Sequence, residues 1–304
     1  IISKQLVDAA MGDRLNENEA LLDEVAALTE WPVVLRGNFP PEFLTLPEEV
    51  LITAMEKHQR YFALKDASGR MVSSFLTVAN LASKDPAQVV AGNERVIRPR
   101  LADADFFWRN DTRLRLEERV DQLKSVVFQT GLGSYYDKAL RIVESAAAIA
   151  RQLQADEAMA KRGALLCKAD LVTDMVIEFT DLQGVMGGHY ARHDGEDDVV
   201  ANAVAQHYRP TGGGGALPEG DVACCVAIAD KLDNLVGLFG IGEPPSGSRD
   251  PFGLRRAAIG VLRTIIEHKL DLNLQTLLDD AAAAHNADFG TEEVLSYLAD
   301  RLRY

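Results

Sequence analysis

The hydrophobic and polar positions of the first hundred residues change period several times. Apolar residues recur every three to four positions through residues 1–30, which predicts helix, and β-prone residues follow at 33–35. A second helical pattern starts at Pro47, and strand-like stretches lie near residues 61–64 and 72–81, separated by the turn-forming KDASGRM. This mixture predicts an α+β module.

From about residue 111 onward the strand signal nearly disappears and helical periodicity dominates. The sequence predicts helices in RLRLEERVDQLKSVVF (113–128), GLGSYYDKALRIVESAAAIARQL (131–153), AMAKRGALLCKADLVTDMVIEF (158–179), DVACCVAIADKLDNLVGLF (221–239) and SRDPFGLRRAAIGVLRTIIEHKL (248–270). Residues 158–179 fit either one long helix or two. In the last stretch Asp250 is a candidate helix cap, and Pro251 suits a first helical position.

We therefore predict an α+β module over residues 1–115, followed by an all-α domain over 116–290, so that the chain is mainly helical overall. Residues 291–304 are expected to start a further region that is cut short. The first residue is not Met, and the last thirteen residues, EEVLSYLADRLRY, stop within a helical pattern. We expect both ends to be cuts in a longer protein.

Composition narrows the class of protein. Hydrophobic residues make up 47% and charged residues 26% of the 304 residues, as in ordinary globular proteins, and no apolar run approaches the roughly 20 residues of a membrane span. The three cysteines are odd in number and lack CxxC spacing, which favours a reducing cytoplasm. A net charge of −14 argues against nucleic acid as a partner, although seven arginines cluster in residues 95–119.

The stretch GGHYARHDGED at 187–197 suggests a metal site. His189 and His193 are four residues apart, a spacing that brings two ligands to one face of a helix, and Asp194 follows directly. The glycines around them make a continuous helix doubtful, so polar residues on a loop are the competing interpretation.

Two carboxylates stand in an apolar context. Asp230 and Asp233 occur within the strongly apolar AIADKLDNL, and a buried carboxylate needs a cation, a metal ion or several hydrogen-bond donors. Lys231 is expected to face away from Asp230. The partner must therefore come from another helix.

Three segments, KALRIVESAAAIA (138–150), GALLCKADLVTD (163–174) and AIADKLDNL (227–235), resemble the helical core of the HD metal-phosphohydrolase superfamily. The resemblance implies metal positions at Lys138, Ala169, Asp170 and Asp230, so two imidazole ligands are absent and no metal is expected. Our hypothesis is that Lys138 neutralises Asp170 and Asp230. The alternative is an HD-type metal-dependent phosphohydrolase that uses His189, His193 and Asp194 as replacement ligands together with Asp170 or Asp230.

A more specific resemblance covers nearly the whole chain. The segments that resemble the beta subunit family of bacterial heterotetrameric glycyl-tRNA synthetases are MEKHQRYFAL (55–64), GNERVIRPRLADADFFW (92–108), GLGSYYDK (131–138), FTDLQGVMGGHYARHDGE (179–196), AIADKLDNLVGLFGIGEPP (227–245) and DPFGLRRAAIGVLR (250–263). The resemblance implies a cytoplasmic α2β2 enzyme that binds tRNA(Gly). Its alpha subunit activates glycine with ATP and Mg²⁺, so no cofactor is expected in this chain.

The same resemblance implies an identity for each module. Residues 1–115 correspond to the end of a region related to the beta subunit of phenylalanyl-tRNA synthetase, and residues 116–290 to an HD-like domain with a degenerate metal motif. We expect no catalytic residue here and a tRNA-binding or structural role. The candidate RNA contacts are Arg255, Arg256, Arg192, Arg98 and Arg100, with a structural salt bridge as the competing interpretation for each.

Overall fold

The computed structural model describes residues 1–285 and 290–302. Within it the chain forms two compact units, Ile1–Asp111 and Thr112–Tyr304. The first unit combines helices with an antiparallel sheet and the second is mainly helical, which confirms the predicted fold class. Residues 286–289 of the predicted helical domain and 303–304 of the predicted last region lie outside the described residues.

The first unit alternates short helices and strands before one long helix. In chain order its elements are α1 (Ile2–Ala10), β1 (Arg14–Leu15), α2 (Glu19–Leu28), β2 (Val33–Asn38), α3 (Glu48–Ile52), β3 (Phe62–Lys65), β4 (Met71–Ala79) and α4 (Pro86–Asp111). A 3₁₀ turn over Pro41–Thr45 precedes α3, and a π-helical turn over Thr53–Lys57 follows it.

The sheet of this unit has the strand order β1-β3-β4-β2, and its pairs are antiparallel. The β2–β4 ladder runs without a break from Val33 opposite Ala79 to Asn38 opposite Ser74. The apolar faces of α1 and α2 form one buried cluster with residues of β3 and β4. The helical pattern of residues 1–30 thus holds for two helices, but β1 interrupts it.

The second unit begins with a few short elements and continues as a set of packed helices. Its elements are α5 (Leu116–Arg119), β5 (Val127–Gln129), β6 (Gly133–Ser134), α6 (Tyr135–Leu153), α7 (Glu157–Leu166), α8 (Asp174–Glu178), α9 (Val185–His193), α10 (Asp198–Gln206), α11 (Asp221–Gly240), α12 (Leu254–Glu267), α13 (Leu274–Ala284) and α14 (Glu292–Arg301). Short 3₁₀ turns lie at Val120–Ser125, Ala169–Val172 and Thr180–Leu182.

Helix α11 forms the centre of the second unit. Nearly all of its residues are buried, and a helix that is apolar on all sides is covered on all sides. Its neighbours include α6, α7, α10, α12 and α13, which share one apolar cluster with it. Val294 and Leu298 of α14 belong to this same cluster. Residues 292–301 therefore pack into the helical unit, whereas the sequence predicted the start of another region.

Two sequence predictions about helices fail in detail. Residues 113–128 form only the short α5, a 3₁₀ turn and β5, where one helix was expected. Helix α12 begins at Leu254, so Pro251 is not its first residue, although the Asp250 carboxylate does accept hydrogen bonds from the Leu254 and Arg255 amides at 2.8 and 3.0 Å.

No helix among residues 1–285 and 290–302 is long and apolar enough to cross a membrane.

For residues 187–193 the glycines favoured the loop interpretation over a continuous helix, and this interpretation is wrong. These residues lie in α9, and Gly187 and Gly188 are buried within it. A Cβ at Gly188 would lie 2.6 Å from the Ala205 Cβ and 3.0 Å from the Ala201 carbonyl oxygen, both on α10. These glycines therefore serve the close approach of two helices rather than a turn.

Candidate functional site

The candidate site lies inside the second unit, where α6, α11 and the turn after α7 meet. Lys138 is in the first turn of α6, which is held by a capping box between Ser134 and Asp137. Asp230 and Asp233 are three residues apart in the middle of α11, so both reach the same face. We call Lys138, Lys168, Asp230, Asp233 and Arg141 the ion-pair cluster.

Lys138 is buried and all of its donor capacity is used. Its Nζ lies 3.1 Å from Asp230 Oδ1 and 2.8 Å from Asp233 Oδ2. It also donates to Asn234 Oδ1 at 2.8 Å and lies 4.5 Å from the centre of the Phe128 ring. The side chain is 2% exposed, so the charge is stabilised by these partners and not by water.

A second buried ammonium completes the site around Asp230. Lys168 Nζ lies 3.0 Å from Asp230 Oδ2 and 3.9 Å from the centre of the Tyr208 ring. Burial by itself would raise the pKa of Asp230, but Lys138 and Lys168 outweigh this effect and hold that pKa well below its usual range. Asp230 therefore stays ionised.

Asp233 joins the same cluster from the next turn of α11. Its Oδ1 accepts from Arg141 Nε at 2.6 Å and lies 3.3 Å from His285 Nε2. Burial would raise the pKa of Asp233, but Lys138, His285 and Arg141 together lower it well below its usual range. The two carboxylates of α11 thus have cationic partners that match their charge.

Asp170 lies apart from this network. Its Oδ2 accepts backbone N–H groups of Gly184 and Gly187 at 2.5 and 3.0 Å, and its Oδ1 has no hydrogen-bond partner in the part of the chain that the structure describes. Burial raises its pKa to about 6, although both amides lower it. The hypothesis that Lys138 neutralises both carboxylates therefore holds for Asp230 and fails for Asp170.

Lys231 was expected to face away from the site. It does leave Asp230 to Lys138 and Lys168, but it is buried rather than solvated. Its ammonium donates to the carbonyl oxygens of His207, Arg209 and Ala227 at 3.2, 2.7 and 3.3 Å. Burial lowers its pKa to about 8.

The donor set does not fit a metal ion. Lys138 is a cation at one position that the HD resemblance assigns to a ligand, and Ala169 at another offers no donor atom. His189 and His193 lie on α9, and His193 Nδ1 is 3.4 Å from Asp194 Oδ1. Over residues 1–285 and 290–302, no group of three or more His, Cys, Asp or Glu side chains could hold a metal. The geometry gives no support to the hydrolase alternative.

A pocket of about 460 Å³ opens over the cluster, and we call it the basic pocket. It is lined by Phe128, Tyr135, Lys138, Lys168, Asp181, Gln183, Tyr208, Pro210, Thr211, Asp230, Lys231, Asn234, Phe252, Gly253, Arg256 and Ala257. Four of these residues are cationic and two are acidic. This surplus of two positive charges contrasts with the net charge of −14 of the whole chain.

Arg255 and Arg256 begin α12 and differ in their surroundings. Arg255 is half-buried and donates to the Gly247 carbonyl oxygen. Arg256 is exposed, lines the basic pocket and forms no hydrogen bond or ion pair with any described residue. Its guanidinium packs against Gly253, where an added Cβ would lie 2.9 Å from Nη2.

The other predicted RNA contacts lie elsewhere. Arg192 is on α9, donates to the Asn202 side chain and lies 3.4 Å from Asp198 Oδ1. Arg98 and Arg100 are on α4 in the first unit, where Arg98 is exposed and Arg100 half-buried. Within the second unit, only Arg256 among the predicted arginines lines the basic pocket.

Sequence reasoning missed several members of the cluster. Arg141 lies three residues after Lys138, so helical spacing could have indicated it, whereas Asp233 was identified from its apolar context but without its partners. Lys168 directly precedes Ala169, but nothing in its neighbours predicts that it is buried. His285 contacts Asp233 from the end of α13, far along the chain, and no sequence signal indicated this contact.

The second unit is thus a helical scaffold built around buried ion pairs, with an exposed arginine above them. A family model described as glycyl-tRNA synthetase beta subunit matches residues 1–304. The chain belongs to the glycyl-tRNA synthetase beta subunit family.

Curated relatives agree with this assignment. The chain is 52% identical over 303 residues to the glycine–tRNA ligase beta subunit of Marinobacter nauticus, covering 98% of this chain and 43% of that relative. It is 49% identical to the protein of the same name from Serratia proteamaculans, over 98% and 44% of the two chains. For Edwardsiella ictaluri the identity is 50%, over 97% and 43%. The chain therefore spans less than half the length of these relatives.

Proposed function

We propose that this chain is the tRNA-binding and structural part of a glycine–tRNA ligase beta subunit, and that it carries no catalytic residue. The partner would be an alpha subunit in an α2β2 enzyme of the cytoplasm, which attaches glycine to tRNA(Gly). ATP and Mg²⁺ would be used by the alpha subunit. Family membership and identities near 50% support this proposal.

The observation that carries the scaffold role is the ion-pair cluster. Enzymes that activate a nucleophile or hold a metal need side chains with unused donor or acceptor capacity. Here the carboxylates of Asp230 and Asp233 are engaged by Lys138, Lys168 and Arg141. Such a cluster stabilises one arrangement of α6 and α11 and leaves the surface to bind partners.

The RNA-binding role rests on exposed arginines. Arg256 has no acidic partner among the described residues, so its charge is available to a phosphate. Arg98 is exposed on α4, while Arg192 and Arg255 already have internal partners. We therefore expect Arg256 and Arg98 to contribute most, with Arg100, Arg192 and Arg255 contributing less.

The test replaces Arg98, Arg100, Arg192, Arg255 and Arg256 with Glu in the complete enzyme. We expect weaker binding of tRNA(Gly) and a shallower dependence of affinity on salt, since each lost phosphate contact removes about 0.9 from the slope of log K against log salt. Glycine-dependent exchange of pyrophosphate into ATP, measured without tRNA, should not change.

The control reverses Arg70 and Arg151, which are exposed and lie outside the proposed set. These variants should bind tRNA(Gly) with the affinity of the unmodified enzyme. If the fivefold variant also keeps that affinity and salt slope, this surface does not bind RNA and the chain is a structural part only.

A further inference from the structure

The basic pocket has a property that a purely structural cluster does not require. Lys138, Lys168 and Lys231 lie at its floor, each less than a tenth exposed, and Arg256 lies at its mouth. Asp230 at the floor and Asp181 at the rim offset only part of this charge. A concave surface with low-dielectric walls and one dominant sign of charge concentrates its field on a counter-ion.

The lysines of the floor divide into two kinds. Lys138 and Lys231 each have three oxygen partners, so they have no further donor to offer. Lys168 has one carboxylate, Asp230, and the face of the Tyr208 ring. An ammonium carries three N–H donors, so Lys168 has fewer oxygen acceptors within the described residues than it has donors.

The mouth offers the groups that would touch a ligand directly. Arg256 presents a guanidinium without a hydrogen bond to any residue in the described ranges, and guanidinium matches the oxygens of a phosphate group in a two-pronged contact. Phe252 is 40% exposed although it is a large apolar side chain. It lines the same pocket, two residues before the start of α12.

The dimensions restrict the ligand. A pocket of about 460 Å³ falls in the lower part of the range of roughly 300–1,000 Å³ that small-molecule sites occupy. A free inorganic anion would leave most of this space and the Phe252 ring unused. An anion with an organic body about as large as a nucleoside uses both.

We propose that the basic pocket binds a phosphate monoester of about mononucleotide size without a metal ion. Arg256 holds the phosphate above the buried lysines, and the organic part lies against Phe252. The inference does not rest on the proposed RNA-binding role, because the pocket needs no other part of the surface. The phosphate monoester is the end of a free mononucleotide or the 5′-phosphate of an RNA chain.

The test is calorimetric titration of the protein with AMP, with adenosine and with inorganic phosphate, at low salt and in the presence of EDTA. We expect AMP to bind with EDTA present, adenosine to bind at least tenfold more weakly, and inorganic phosphate to compete with AMP. No binding of AMP at millimolar concentration, equal binding of adenosine, or loss of binding in EDTA would each overturn the proposal.

Variants locate the ligand. Arg256→Gln should weaken AMP binding about tenfold or more, since hydrogen bonds between charged groups are the strong ones, and Phe252→Ala should weaken it severalfold. Both residues are exposed, so these proteins are expected to fold. Lys168→Met tests whether this lysine at the floor of the basic pocket contributes to AMP binding. The control Arg249→Gln, an exposed arginine just before α12 and outside both the pocket and the proposed RNA-binding set, should bind AMP normally, and a loss as large as that of Arg256→Gln would contradict the site.

A last comparison identifies the source of the phosphate and separates the two proposals. A short RNA with a 5′-phosphate that displaces AMP better than its 5′-hydroxyl twin points to an RNA end, whereas equal displacement points to a free mononucleotide. If the unmodified protein binds AMP while the fivefold arginine variant keeps full tRNA affinity, the pocket is supported and the RNA-binding surface is refuted. If the fivefold variant binds tRNA more weakly while the unmodified protein does not bind AMP, the RNA-binding surface is supported and the pocket is refuted.

Discussion

Removal of the Asp233 carboxylate should strongly destabilise the second unit. Asp233 is 1% exposed and accepts from Lys138 at 2.8 Å and from Arg141 at 2.6 Å. In Asp233→Ala, Lys138 keeps Asp230 and Asn234, but Arg141 keeps only the Leu132 carbonyl oxygen, at 3.0 Å. A buried guanidinium then lacks an anion.

The magnitude follows from the cost of breaking a buried pair. Removing one partner of such a pair costs about 3–5 kcal/mol, because the other charge stays buried without compensation. For a domain of roughly 150–250 residues, each kcal/mol lowers the melting temperature by about 2–4 °C. We therefore expect Asp233→Ala to lower the melting temperature of the second unit by roughly 6–20 °C.

Circular dichroism follows thermal unfolding, which gives the melting temperature, and urea unfolding, which gives the free energy and its denaturant dependence for each variant. Glu157→Gln is the control, since Glu157 forms an exposed pair with Arg151 and Lys161. It should leave the midpoint unchanged. A loss in Asp233→Ala of less than about 1 kcal/mol, at an unchanged denaturant slope, would refute the view that the cluster holds α6 and α11 together.

Three further predictions concern acidity, packing and thiol reactivity. The pKa of Asp170 is raised to about 6 by burial, so the folded state binds a proton that the unfolded state releases near pH 4. The stability of the wild type should therefore fall, relative to Asp170→Asn, as pH rises from about 4 to 6. Gly188→Ala should cost about 1–3 kcal/mol of unfolding free energy, because its Cβ would meet α10 at 2.6 Å. The three cysteines are buried, and burial raises their pKa values to about 11 or 12, so the folded protein should not react with Ellman's reagent at pH 8, whereas unfolded protein should titrate three thiols.

Each of these predictions has a control and an opposing result. A difference between wild type and Asp170→Asn that is constant from pH 4 to 7 would show that Asp170 has an ordinary pKa. Gly92 lies within α4, and an added Cβ there meets nothing within 4 Å, so Gly92→Ala should be neutral or stabilising by about 1 kcal/mol. Equal losses at both glycines would contradict the packing argument. Rapid reaction of any thiol in folded protein would show that its helix opens readily.

Hydrophobic spacing alone was enough to predict the main helices of the second unit. Helix α6 follows from a regular apolar face after a turn, and α11 from its strongly apolar run. The same reasoning failed for α9, since Gly187 and Gly188 have low helix propensity. Packing against α10 decides this case, because the close contact stabilises the helix and needs residues without a side chain.

Local sequence likewise indicated that the α11 carboxylates need partners, and the HD resemblance led to the hypothesis that Lys138 neutralises Asp230 and Asp170. It could not supply Lys168 or His285, and it assigned Asp170 to the wrong partner. These side chains belong to different helices, and their distances depend on how those helices cross.

The sequence by itself thus determined the two-part α+β and helical composition, the family, and the absence of metal-ligating imidazoles at positions 138 and 169, since residue types and their spacing are local properties of the chain. Only the tertiary structure decided which charges pair, that Asp170 is held by backbone amides, and that Arg256 lies over a pocket with surplus positive charge. Pairing and burial depend on atoms brought together from distant segments, and the spacing of residues along one helix does not contain that information.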